Sequence, residues 1–291
     1  MTSDPGTTMD KLVERASAGS GARPLVYRQA LATRITHWIW AISLFFLLLS
    51  GLQIFNAHPA LYIGHQSGFE FDNAVLEIGA RRAADGTPQG ITRVLGAEFE
   101  TTGILGLSGG DRLQVRAFPA WLTIPSFQDL ATGRVVHFFF AWTLAITLLF
   151  WLGFSIWNGH LRRDLAPRGD DLHNLPREIA DHARLRFHRR REYNTLQKFS
   201  YLMVLFVLFP LIVLTGLSMS PAFNSAAPWL VDLFGGRQTA RTIHFLVMLL
   251  LVLFFVIHIV MVVAAGPINE LRSIVTGWYR TDAPATDEKE A

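Results

Sequence analysis

Four apolar stretches, 35–55, 135–157, 199–219 and 243–265, contain no Lys, Arg, Asp or Glu, and each is 21 to 23 residues long. An α-helix needs roughly 17–25 residues to cross the hydrocarbon core of a bilayer. A backbone in lipid must also satisfy its own hydrogen bonds, so such stretches span as helices. The expected fold is an all-α membrane protein, a bundle of four transmembrane helices. Residues 1–34 lack the short apolar core and small-residue cleavage site of a signal peptide, so the first helix is expected to act as an uncleaved anchor.

Charge placement orients the bundle. The connection 158–198 holds ten Lys/Arg against six Asp/Glu, including Arg189, Arg190 and Arg191, whereas 56–134 holds six Arg against eight acids. The positive-inside rule puts 158–198 in the cytoplasm together with the five basic residues of 1–34. Both termini are then cytoplasmic, and 56–134 forms a long periplasmic loop between helices one and two. The basic run reads as a solvated loop against lipid headgroups rather than a nucleic-acid site.

The domain organisation follows. Residues 1–24 and 281–291 are polar, low-complexity tails expected to be disordered, and 25–280 form one membrane domain. The loop 56–134 is too long for a turn and alternates turn clusters with short β-prone stretches. It ends in Phe118-Pro119-Ala120-Trp121-Leu122-Thr123-Ile124-Pro125, read as an interface anchor or a docking surface for a partner. Pro210 is expected to kink helix three. Gly266-Pro267 ends helix four, and 268–279 reads as an interfacial cytoplasmic helix.

Histidines supply the chemistry. His244 and His258 lie fourteen residues apart on helix four, which returns them to within about 40° of one another and separates them by about 21 Å. Intramembrane histidines are costly and by default functional. His37 and His137 begin helices one and two. With alternating helix directions, depth pairs His37 with His258 on the cytoplasmic side and His137 with His244 on the periplasmic side. The chain has no cysteine, which removes disulfides, iron–sulfur clusters and covalent haem attachment. Two bis-histidine sites for haem b are the expectation, and a six-coordinate iron suits electron transfer. Arg34, Arg134 and Arg241 each precede one of these histidines by three residues and are placed to meet haem propionates. His58 and His65, beyond helix one, are weak candidates for a further metal. His160, His173, His182 and His188 show no metal-ligand spacing.

One histidine on each of helices one and two, with a fourteen-residue pair on helix four, resembles the membrane cytochrome b subunits of formate dehydrogenases, nickel–iron hydrogenases and thiosulfate reductases. Tyr193-Asn194-Thr195-Leu196-Gln197-Lys198 is similar to that family's Tyr-Asn-x-x-Gln-Lys segment at the quinone pocket, with Leu196 where formate dehydrogenase subunits have glycine. The resemblance implies that Asn194, Gln197 and Lys198 contact ubiquinone or menaquinone beside the cytoplasmic haem. The long loop, the run Asn56-Ala57-His58-Pro59-Ala60-Leu61-Tyr62 and Gly277-Trp278-Tyr279 look most like the thiosulfate reductase branch. That branch implies a periplasmic molybdopterin-type oxidoreductase partner.

The functional expectation is a dihaem membrane cytochrome of the bacterial inner membrane, passing electrons between quinone and that partner. Two other readings stand beside it. One is a stand-alone oxidoreductase linking superoxide or another small molecule to quinone; the other is a haem-free membrane anchor or transporter. The absence of intramembrane carboxylates weakens the transporter reading.

Overall fold

The computed structural model describes residues 25–109, 113–159 and 195–281, together with 161, 176, 178 and 180. The expectations for the two tails, for His160, His173, His182 and His188, for the Arg189 to Arg191 run and for Asn194 fall outside the described residues. After strand β1 (Leu25–Tyr27) comes helix α1 (Leu31–Phe55). A sheet-bearing segment of β2 (Ala60–Tyr62), β3 (Ala74–Arg82), β4 (Pro88–Val94), β5 (Ala97–Glu100), β6 (Leu107–Ser108) and β7 (Gln114–Val115) leads to α2 (Leu130–Trp157). Helix α3 (Thr195–Met219) is followed by the short helices α4 (Pro221–Ala226) and α5 (Trp229–Leu233), then α6 (Arg237–Ala265), α7 (Pro267–Thr276) and β8 (Trp278–Arg280).

Helices α1, α2, α3 and α6 carry the four apolar stretches and are long enough to cross a membrane. Each starts four to six residues before its apolar stretch, because the first turns are polar and capped. Asp129 caps α2, with Oδ1 accepting from Thr132 N–H at 3.1 Å and Oδ2 from the Thr132 hydroxyl at 2.7 Å. The Gly64 carbonyl accepts from Gln238 and Thr239 N–H at the start of α6. Gly236 makes that approach possible: its φ is +114°, and a Cβ there would lie 2.5 Å from the Gly64 oxygen. In α3 the expected disturbance at Pro210 takes the form of a π-helical turn over Val204–Leu208, after which the α-helix resumes at Phe209.

The helices bury small polar side chains among their apolar ones and expose large apolar faces. Thr36, Ser43, Ser50, Gln53, Ser155, Thr215 and Ser218 are buried, while Phe45, Leu149 and Val260 are more than half exposed. Water would not tolerate such apolar faces, whereas lipid does, and small hydroxyl residues let helices approach closely.

The chain divides into two compact units. The first comprises residues 1–39, 147–207 and 252–291. In it the Trp151 indole N–H reaches the Thr33 hydroxyl at 3.4 Å, and β1 pairs antiparallel with β8. The Asn269 side chain on α7 bonds both the N–H and the carbonyl of Arg280 at 2.9 Å. Arg34 Nη2 donates to the Val275 carbonyl, tying α1 to α7. Ile268, Leu271 and Val275 leave an apolar stripe exposed on α7.

The second unit comprises residues 40–146 and 208–251. Its loop is not irregular: β2, β3, β4 and β5 form an antiparallel sheet in that order. The β3–β4 turn is closed by Ala83 N–H on the Thr87 carbonyl at 2.8 Å. Phe55, Leu61, Ile78 and Ala117 form a core joined by Phe118 and Phe245. The Thr242 hydroxyl adds a bond to the Tyr62 carbonyl at 2.7 Å. These contacts fasten the sheet to the ends of α1 and α6. Within the helices, Phe46 stacks on Phe140 with ring centres 4.4 Å apart, and Gly133 packs on the Gln53 side chain.

Candidate functional site

Two histidine pairs form. In the first unit the rings of His37 and His258 lie 6.4 Å apart, centre to centre, at 54°. In the second unit those of His137 and His244 also lie 6.4 Å apart, at 57°. These are the partners that depth assigned. A metal–imidazole bond of about 2.0–2.1 Å, with about 1.1 Å more from nitrogen to ring centre, counted for two ligands, gives about 6.3 Å. Both pairs therefore have the spacing of two axial ligands on one iron.

Local bonds orient both rings in the second unit. The Ser50 hydroxyl donates to the Phe46 carbonyl at 2.6 Å. With its one hydrogen committed, Ser50 Oγ accepts from His137 Nδ1–H at 3.1 Å. On α3 the Thr215 hydroxyl donates to the Leu211 carbonyl at 2.7 Å and accepts from His244 Nδ1–H at 3.0 Å. Each imidazole thus keeps its proton on Nδ1 and leaves the lone pair of Nε2 available to a metal.

The residue after each hydroxyl is glycine. A Cβ at Gly51 would stand 3.3 Å from His137 Cε1, and one at Gly216 would stand 3.4 Å from His244 Cε1. A Ser-Gly pair on α1 and a Thr-Gly pair on α3 therefore hold equivalent rings in equivalent ways. The sequence reading passed over all four residues. The signal available to it was a hydroxyl followed by glycine inside an otherwise apolar span.

The first unit is built differently. His37 Nδ1 is buried with no hydrogen-bond partner, and its ring meets Trp38 edge-on at 5.5 Å. His258 stacks on Phe254, with ring centres 5.9 Å apart. Aromatic contact rather than hydrogen bonding orients this pair.

The three arginines have protein partners. Arg34 bonds the Val275 carbonyl, with Nε buried and unpartnered. Arg134 is exposed and lies over the Phe138 ring at 5.5 Å. Arg241 Nη2 donates to the His58 carbonyl at 2.5 Å. Lys198 and Thr195 are buried in the first turn of α3, and Gln197 is half-buried. The Glu178 carboxylate accepts from Leu196 N–H at 3.0 Å and caps that turn. His58 lies beside Tyr62 with ring centres 5.7 Å apart, and His65 is exposed. Among the described residues no group of three His, Asp or Glu side chains is arranged to hold a metal ion. A porphyrin supplies four ligands of its own, so two histidines suffice to complete its iron.

The comparisons with known proteins agree with this chemistry. The chain is 28% identical over 234 residues to a putative protein-methionine-sulfoxide reductase subunit, YedZ1, of Azospira oryzae, covering 79% of this chain and 86% of the relative. The pattern of the family described as prokaryotic cytochrome b561 matches residues 28–277. That match takes in all four spans and all four paired histidines. Multi-pass proteins of the bacterial inner membrane that carry electrons on haem b make up this family, and the chain belongs to the prokaryotic cytochrome b561 family.

Proposed function

We propose that this chain is a two-haem cytochrome that carries electrons between a membrane quinone and an oxidoreductase subunit on the periplasmic side. The observation that carries the reading is the pair of 6.4 Å histidine spacings, one in each unit. Haem b held there supplies one-electron exchange between ferric and ferrous iron. His37 with His258 would hold one haem and His137 with His244 the other. Arg34, Arg134 and Arg241 stand on the same helices as the ligands, where a guanidinium would meet propionates. The same spacings weigh against a haem-free anchor.

Gln197 and Lys198 would bind quinone in the first unit, with Asn194 beside them in sequence. Supporting this, Lys198 is buried at the start of α3, where an ammonium group can donate to a quinone oxygen. The name of the Azospira relative favours a partner that reduces methionine sulfoxide in proteins, so electrons would flow from quinol to partner. A molybdopterin cofactor in that partner follows from the resemblance to the thiosulfate reductase branch.

A pyridine haemochrome assay on the purified chain tests the core of the proposal, and two b haems per polypeptide are expected. Quinol-driven haem reduction tests the quinone site. Lys198→Met should slow it at least tenfold while leaving haem content at two. Full-rate reduction in that variant would remove Lys198 from the quinone site.

A further inference from the structure

Arg116 lies outside every motif the sequence reading singled out. It follows β7, is 3% exposed, and belongs to the second unit. Its Nη1 donates to the Ser126 carbonyl at 2.7 Å. Its Nη2 donates to the Thr123 hydroxyl at 2.9 Å and to Gln53 Oε1 at 3.2 Å. Nε is buried without a partner. All these acceptors are neutral. The ion pairs on the neighbouring sheet, Arg81 with Glu98 and Arg93 with Glu77 and Glu98, do not include Arg116. A buried charge without a counter-charge is costly and is retained where something else returns the cost.

Its position indicates what that is. Gln53 is three residues beyond Ser50, on the same face of α1, and Ser50 holds the His137 ring. Gly133, on which the Gln53 side chain packs, is four residues before His137 on α2. Through Gln53 the guanidinium is tied to α1 one helical turn from Ser50, which holds the His137 ring. Gln53 cannot turn away, because its Nε2 donates to the Phe127 carbonyl at 2.9 Å. Arg134, by contrast, is exposed, where water and salt screen its field.

We infer that Arg116 is a fixed positive charge that raises the reduction potential of the haem held by His137 and His244. One electron added at that site makes it more negative by one unit. A nearby cation in a low-dielectric setting stabilises the reduced form more than the oxidised form. Arg116 acts through space on the iron and touches no reacting atom, so it is a positioning residue. The inference rests on the two-haem reading.

Potentiometric titration of the full-length detergent-solubilised chain, followed at the haem absorbance bands, tests it. Arg116→Gln should lower the reduced-to-oxidised ratio of one haem about tenfold at fixed potential, a 59 mV fall for a one-electron couple. The other haem should stay in place, and Arg116→Lys should recover most of the shift. The displaced haem must be the one that His137→Ala removes. If Arg116→Gln gives no holoprotein, Gln53→Met, which cuts the bond that ties the guanidinium to α1 and leaves those to Ser126 and Thr123, must move that same haem alone. Two haems with both midpoints unchanged, or both moved equally, would overturn this inference and leave the two-haem reading intact. A wild-type chain with no haem at His137 and His244 would overturn both.

Discussion

His137 and His244 each bond a helix hydroxyl through Nδ1 and each face a glycine, whereas His37 has a buried Nδ1 with no partner. The ring spacing is nonetheless the same in the two units. On the two-haem reading the spacing serves ligation in both units, while the groups that hold the rings differ. A hydroxyl accepting from Nδ1–H makes the imidazole a stronger donor to iron and favours the ferric state. Aromatic packing fixes a ring without that electronic effect. Two sites with the same ligands can in this way hold different potentials, which a chain of two carriers needs if transfer between them is to have a direction.

The comparison breaks most completely at the ligands. His137→Ala or His244→Ala should remove the haem of the second unit, and His37→Ala or His258→Ala that of the first. Each should take the haemochrome count from two to one per chain. Loss of both haems from one substitution would show that the units do not bind independently.

Next come the glycines. Gly216→Val or Gly51→Val places methyl groups into the imidazole. Either should weaken haem retention in the second unit by about 10–100-fold, the range seen when second-shell support is disturbed. The His37/His258 haem should be unaffected, since among the described glycines none has its Cβ position against those rings. Haem content after dilution into apo-myoglobin measures this.

Smaller still is the loss of the hydroxyls. Ser50→Ala or Thr215→Val removes the hydroxyl that accepts from the ring N–H, at about 0.5–1.5 kcal/mol for one hydrogen bond. The midpoint of the second unit's haem should rise and that of the first should not move. A fall instead would mean that the hydroxyl donates to the ring, reversing the tautomer.

The smallest effect is one of pH. Burial, followed by the neighbouring Arg241 guanidinium, holds the His58 imidazole below its ordinary range. Unfolded His58 takes up a proton near about pH 6.5, and the folded residue does so only at lower pH. Stability is therefore full above that value and declines as pH falls through the window between the two. Thermal unfolding followed by sheet-sensitive circular dichroism should show a lower midpoint at acid pH, and His58→Gln should flatten that dependence. Haem bands of the first unit should not follow it.

Sequence by itself determined the spans and the histidine pairs. Twenty-odd apolar residues without charge have one stable answer in lipid, and fourteen residues on a helix return a side chain to the same face; neither depends on what lies elsewhere in the chain. Helices α2 and α6 begin five and six residues before their apolar stretches, because Asp129 and the Gly64 carbonyl cap polar turns that hydropathy does not count. The tertiary structure alone decided the rest. Ser50 and Thr215 resemble any small interhelical hydroxyl until His137 and His244 are brought against them. Gly51 and Gly216 matter only through the ring that fills the space above them. Arg116 reads as one more basic residue of a polar loop until folding buries it without a carboxylate. Each of these properties belongs to a contact between residues distant in sequence, and such contacts leave no period or spacing along the chain.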